Sequence, residues 1–138
     1  RTKKGGLVLM SFSQSVFDKK EEFFKRFASE FFTKEAWKKM SSYDPKISGF
    51  LCGFYTVIKT RCDLDDAETS KLVYKSLKNK SSGMPSYDEF KHVLDENMRK
   101  TGFKSFFNRD IKTSMEAFET LYLQWELKMV DEGFVENY

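Results

Sequence analysis

Three groups of residues in this 138-residue chain are of types that could do chemistry. The first runs from Lys78-Asn79-Lys80-Ser81-Ser82-Gly83 to Glu89-Phe90 and has the glycine and glutamate spacing of an EF-hand loop. Ca²⁺ takes about six to eight oxygen ligands. Here Lys78, Lys80 and Ser82 hold the coordinating positions, and two lysines repel a cation. The segment reads as a helix–loop–helix without metal, and no cofactor is expected. The second group is Asp63-Leu64-Asp65-Asp66. Its carboxylates resemble a ligand set, but they also suit the positive end of a helix dipole, the commoner use. The third group is the set of nucleophiles and bases. His92, the single histidine, has no Cys, Ser or Asp partner at catalytic spacing. A glycine-rich phosphate loop and a nucleophile elbow are both missing from the sequence. No enzymatic activity is expected.

One segment has a different character. Arg99, Lys100, Lys104, Arg109 and Lys112 interleave with Phe103, Phe106 and Phe107 against one acid, Asp110, a local charge of +4. Basic residues beside exposed aromatics suit an anionic membrane surface or an acidic partner. The alternative is three core phenylalanines under a solvated charged face. Phe32 and Trp37 are further aromatic candidates for this surface, because Phe32 falls on a helical wheel among Lys25, Glu21 and Glu22. Self-association through such aromatics is a further expectation.

The elements that must position these residues read as helices throughout. Pro45–Cys62 contains no acidic residue and repeats its apolar side chains at Ile47, Phe50, Leu51, Phe54 and Ile58, the beat of one helical face. Pro45 suits the first turn. Gly49 and Gly53 lie four apart on one side. Glycine costs roughly 1 kcal/mol in a helix interior, so the pair predicts a neighbouring helix backbone lying close. This is the expected central helix. An amphipathic helix is expected over about Leu9 to Phe32, with Val16, Phe17, Phe23, Phe24, Phe27 and Phe31 on its stripe. Thr33 is expected to cap a short turn carrying Trp37 and Met40. Further helices are expected over about Ala67–Asn79, Tyr87–Lys100 and Lys112–Met129, the middle one opened by a Ser86/Glu89 capping box. The last carries Met115, Phe118, Leu121, Tyr122, Trp125 and Met129 on one stripe and Leu123, Leu127 and Val130 on another. Its flank is acidic: Glu116, Glu119, Glu126, Asp131, Glu132 and Glu136. The expected fold is all-α, a single helical bundle of about five helices over residues 7–138 behind a disordered basic tail at 1–6.

Composition bounds the rest. A formal charge of +3 is no nucleic-acid polycation. Cys52 and Cys62 are no disulfide framework. Ten residues apart on one helix, they would lie roughly 15 Å apart, beyond disulfide reach, so two thiols are expected. The longest uncharged run, Ile47–Ile58, is too short to span a bilayer. The basic start Arg1-Thr-Lys-Lys-Gly-Gly is not followed by an apolar stretch of signal-peptide length. One glycosylation tripeptide, Asn79-Lys80-Ser81, is present.

Four stretches resemble the abalone sperm acrosomal proteins, lysin and its eighteen-kilodalton paralogue. They are Ala36-Trp37-Lys38-Lys39; Phe54-Tyr55-Thr56-Val57-Ile58-Lys59 through Asn79-Lys80; Gly83-Met84-Pro85 before Tyr87; and Met98-Arg99-Lys100 followed by Phe103, Phe106 and Phe107. Lysin carries tracks of arginine, which Glu21, Glu22, Glu30 and Glu35 interrupt here, so the likeness leans to the paralogue. The resemblance implies a lysin-like helical fold and a secreted, acrosomal protein acting at the sperm–egg membrane, with an egg membrane or egg-coat component as partner. A second resemblance points to a cytoplasmic adaptor. Tyr74-Lys75-Ser76-Leu77 and Tyr87-Asp88-Glu89-Phe90 are similar to the helix–loop–helix of the p25-alpha family.

Overall fold

The computed structural model describes residues 14–33, 35–78, 84–104 and 109–134, with backbone alone at 14–18 and 101–104. The expected tail at 1–6, the tripeptide at 79–81, and Phe106 and Phe107 lie outside the described residues. Six helices and no strand are present among the described residues: α1 Gln14–Phe31, α2 Ala36–Ser41, α3 Pro45–Cys62, α4 Asp66–Lys78, α5 Tyr87–Lys104 and α6 Arg109–Asp131. The expected all-α bundle is therefore observed, with the short turn around Trp37 and Met40 present as α2.

Helix α3 has the bounds its sequence dictates. The Asp44 carboxylate accepts from the N–H groups of Lys46 (2.9 Å) and Ile47 (3.3 Å), and Pro45 fills the first position. At the other end Asp63 turns left-handed at φ 53°, and its N–H donates to the Lys59 carbonyl. The acidic run that follows is used in capping. The Glu68 N–H donates to Asp65 Oδ1 at 2.8 Å while the Asp65 N–H donates to Glu68 Oε1 at 3.3 Å, a reciprocal capping box opening α4. Ser86 opens α5 as expected, accepting from the Glu89 N–H at 3.4 Å. Thr33 does not cap α2. Glu35 stands at that position with no side-chain hydrogen bond, and Thr33 contributes its carbonyl to the Ala36 N–H instead.

The two glycines of α3 face α6, the helix it contacts most extensively. A Cβ on Gly49 would meet the Ile111 carbonyl oxygen at 2.6 Å and Ser114 Cβ at 2.9 Å; one on Gly53 would meet the Phe118 ring at 2.6 Å. The close approach expected from their spacing is thus present, against backbone at Gly49 and against a buried ring at Gly53. Gly49→Ala is expected to lower the urea midpoint. Alanine recovers roughly 1 kcal/mol of helix propensity, but overpacking costs about 1–3 kcal/mol and falls on a carbonyl that cannot rotate away. An unchanged or raised midpoint would contradict this packing.

The core is built from rings. Phe27 stacks on Phe54 at 5.4 Å and meets Phe118 edge-on at 5.5 Å and Trp125 at 5.9 Å. Such offset and edge geometries suit the ring quadrupole. One polar node lies among them. Asn97 of α5 donates to the carbonyls of Met40 (3.0 Å) and Val93 (2.8 Å) and accepts from the Ser48 hydroxyl, tying α2, α3 and α5 together. Cys52 and Cys62 are both buried and not joined in a disulfide.

Candidate membrane- and partner-binding surface

The basic residues of the expected surface are in different environments. Arg99 is exposed, and its guanidinium makes two hydrogen bonds to Glu96, at 3.2 and 2.8 Å, which hold that carboxyl below its ordinary value. Lys100 lies with its ammonium 3.6 Å from the ring centroid of Tyr43, a cation–π contact that occupies its charge. Arg109 and Lys112 stand exposed at the start of α6. Neither meets a carboxylate at ion-pair distance among the described residues. Phe103 and Lys104 have their backbone in the last turn of α5, but their side chains, like Phe106 and Phe107, lie outside the described residues.

Of the two outlying aromatics, Phe32 does not belong to this surface. Phe32 is 2% exposed, wedged between Phe50 (5.1 Å) and Phe54 (5.2 Å). The Phe32 N–H still donates to the Ala28 carbonyl at 2.9 Å, so Phe32 lies one turn past Ala28, and Ala28 is itself fully buried. Trp37 is half-buried, with its ring 6.1 Å from that of Phe90. The large apolar side chains standing out of the described surface are instead Leu123, 44% exposed, and Leu127, 67% exposed. Their place was signalled by the second stripe of α6, whose third member, Val130, packs partly against the core.

Several titratable groups elsewhere are committed to structure, and His92 is not among them. His92 is exposed on α5. The Cys62 thiol is pushed up to about 12 by burial, far from a nucleophilic thiolate. Tyr55 is also pushed up to about 12, first by burial and then by donating to Asp66 at 2.7 Å. It lines a polar cleft of ≈ 490 Å³ whose cations are occupied, Lys59 with Asp66 at 2.8 Å and Lys91 with Asp95 at 2.9 Å. Three or more metal-ligating side chains come together nowhere among the described residues. No helix among them is long and apolar enough to cross a membrane.

A buried polar node missed by sequence reasoning joins α3 to α6. The Arg61 guanidinium, 8% exposed, lies 3.4 Å from the Glu126 carboxylate, 12% exposed. The Tyr122 hydroxyl donates to the other Glu126 oxygen at 2.9 Å, and Arg61 lies 5.5 Å from the centroid of the Tyr122 ring. Burial pushes the Glu126 carboxyl up, against the opposing pull of Arg61 and Tyr122. Beside this node α3 and α6 line an open groove of ≈ 700 Å³, formed by Val57, Met115, Phe118, Leu123 and the charged groups of Lys112, Glu116 and Glu119.

No family model matches the chain, and no curated protein or solved structure matches it.

Proposed function

We propose that this chain is a non-enzymatic, secreted protein of the sperm acrosome that acts in fertilisation at the sperm–egg membrane. Its working surface on this reading is the basic and aromatic segment Arg99–Lys112, and its target is anionic lipid or an egg-coat component. The observation that carries the reading is the exposure of Arg109 and Lys112 at the start of α6, with no ion-pair partner among the described residues, directly after the phenylalanine cluster in sequence. The four stretches that resemble the acrosomal proteins support it, and so does the fit of the chain to a small helical bundle. Each Lys or Arg near an anionic surface contributes about 1 kcal/mol, and salt screens that contribution.

The test is co-sedimentation with phosphatidylserine-containing vesicles. Wild type is expected to pellet at low salt and to be released at high salt. Arg109→Glu with Lys112→Glu is expected to stay in the supernatant with an unchanged helical spectrum. Folded wild type that ignores vesicles at low salt would sink the membrane reading. The second reading, an intracellular adaptor built on a metal-free helix–loop–helix, would then gain. It has its own supporting observation: α4 and α5 form a closed pair, with the Tyr74 ring 5.1 Å from Phe90 and its hydroxyl donating to the Pro85 carbonyl at 2.7 Å.

A further inference from the structure

The acidic flank of α6 divides into two sets. Glu126 is taken by Arg61, and Glu132 by Arg26 at 3.3 Å. Glu116 and Glu119 are exposed, and no cation lies within ion-pair distance of either among the described residues. They stand on the lip of the α3–α6 groove. Past the end of the groove α6 carries Leu127, four residues after the lining Leu123 and 67% exposed. Leu123 lies seven residues after Glu116, so the carboxylates and the leucines share one face.

We propose that this groove docks a basic amphipathic helix of a partner protein. An apolar trough flanked by exposed leucines is the geometry in which a helix lays its apolar face into a groove. The charge on the lip selects among occupants. The Arg61 charge at the groove's end is already met by Glu126, which leaves Lys112 against Glu116 and Glu119. A fatty acid or anionic lipid headgroup would meet those carboxylates at the mouth. A second copy docked symmetrically would bring its own Glu116 and Glu119 to the same patch. A helix with leucines on one face and lysines or arginines along its edge satisfies both features. The whole chain carries +3, so charge at long range does not draw such a helix in. Recognition therefore rests on the groove itself, which shares only Lys112 with the Arg99–Lys112 surface.

The probe is a fluorescent leucine–lysine amphipathic peptide long enough to span the groove, titrated without lipid and read by anisotropy. Saturable binding to wild type is expected. Glu116→Lys with Glu119→Lys is expected to weaken it about tenfold, and Leu127→Asn is expected to weaken it as well. Both variants alter exposed side chains and should keep the wild-type circular dichroism. A leucine–glutamate peptide of the same pattern should not bind. The proposal is overturned if wild type fails to bind the leucine–lysine peptide, if the charge-reversed variant binds it equally well, or if the leucine–glutamate peptide binds as tightly. Sedimentation showing a wild-type dimer that Leu127→Asn abolishes would assign the face to a second copy instead.

Discussion

Arg61→Met is expected to destabilise the protein by about 3–5 kcal/mol, the range for breaking a buried ion pair from one side. Methionine fills much the same space, so the loss comes from charge and not from a cavity. With Arg61 gone, Glu126 keeps its burial and the Tyr122 hydroxyl but loses its counter-charge. The double variant Arg61→Met with Glu126→Leu removes both charges and should recover most of the loss, because desolvating the pair offsets much of its attraction. The pH dependence has a definite sign. The folded Glu126 carboxyl is already raised by burial, and losing Arg61 raises it further. A carboxyl raised in the folded state contributes stability below its unfolded value, near pH 4.3, and loses it as pH rises through the folded value. The deficit of Arg61→Met relative to wild type should therefore be smallest below about pH 4 and largest at neutral pH. Urea unfolding at both pH values reads this directly. A deficit that does not change with pH would mean that Glu126 is not ionised in the fold.

The legibility of the chain follows from how local each signal is. The bounds of α3 could be read because Asp44, Pro45 and the apolar beat act within a few residues of one another. The Gly49 and Gly53 pair could be read as a contact, but not with which helix, since Ile111 and Phe118 lie far along the chain. Arg61 and Glu126 gave no signal as a pair. Arg61 passes for one more basic residue beside Lys59 in the last turn of α3, where the helix dipole favours a cation, and Glu126 passes for one more acid on a solvated flank. What marks it is its spacing four residues after Tyr122, which sets carboxylate and hydroxyl on one face. The leucines of α6 were visible as a second stripe, but whether a helix covers that stripe is decided by the whole bundle. For the expected surface around Arg99–Lys112, the structure places Arg99 and Lys100 at one end and Arg109 and Lys112 at the other. Of these Lys100 is held against Tyr43, and Arg109 and Lys112 are open to solvent.

Phe32→Ala separates the two accounts of that aromatic. A ring on the surface contributes little to folding, and its removal would stay within about 0.5 kcal/mol. A ring closed between Phe50 and Phe54 leaves a cavity when truncated, and the expected loss is about 3–5 kcal/mol. The site has little room to collapse, since Phe54 is itself held by Phe24 at 5.9 Å and Phe27 at 5.4 Å. Phe32→Leu keeps an apolar side chain there and should cost clearly less than the alanine. The urea midpoints of the three proteins, with slopes compared to check two-state behaviour, give the ordering wild type, then leucine, then alanine. The burial escapes a helical wheel because the wheel sets Phe32 beside Lys25 and Glu21 without showing which helix covers that edge. Phe32 lies one turn past the buried Ala28, its N–H still on the Ala28 carbonyl at 2.9 Å, and its ring meets Phe50 and Phe54 of α3. An alanine variant as stable as wild type would return Phe32 to the surface and with it to the candidate membrane contacts.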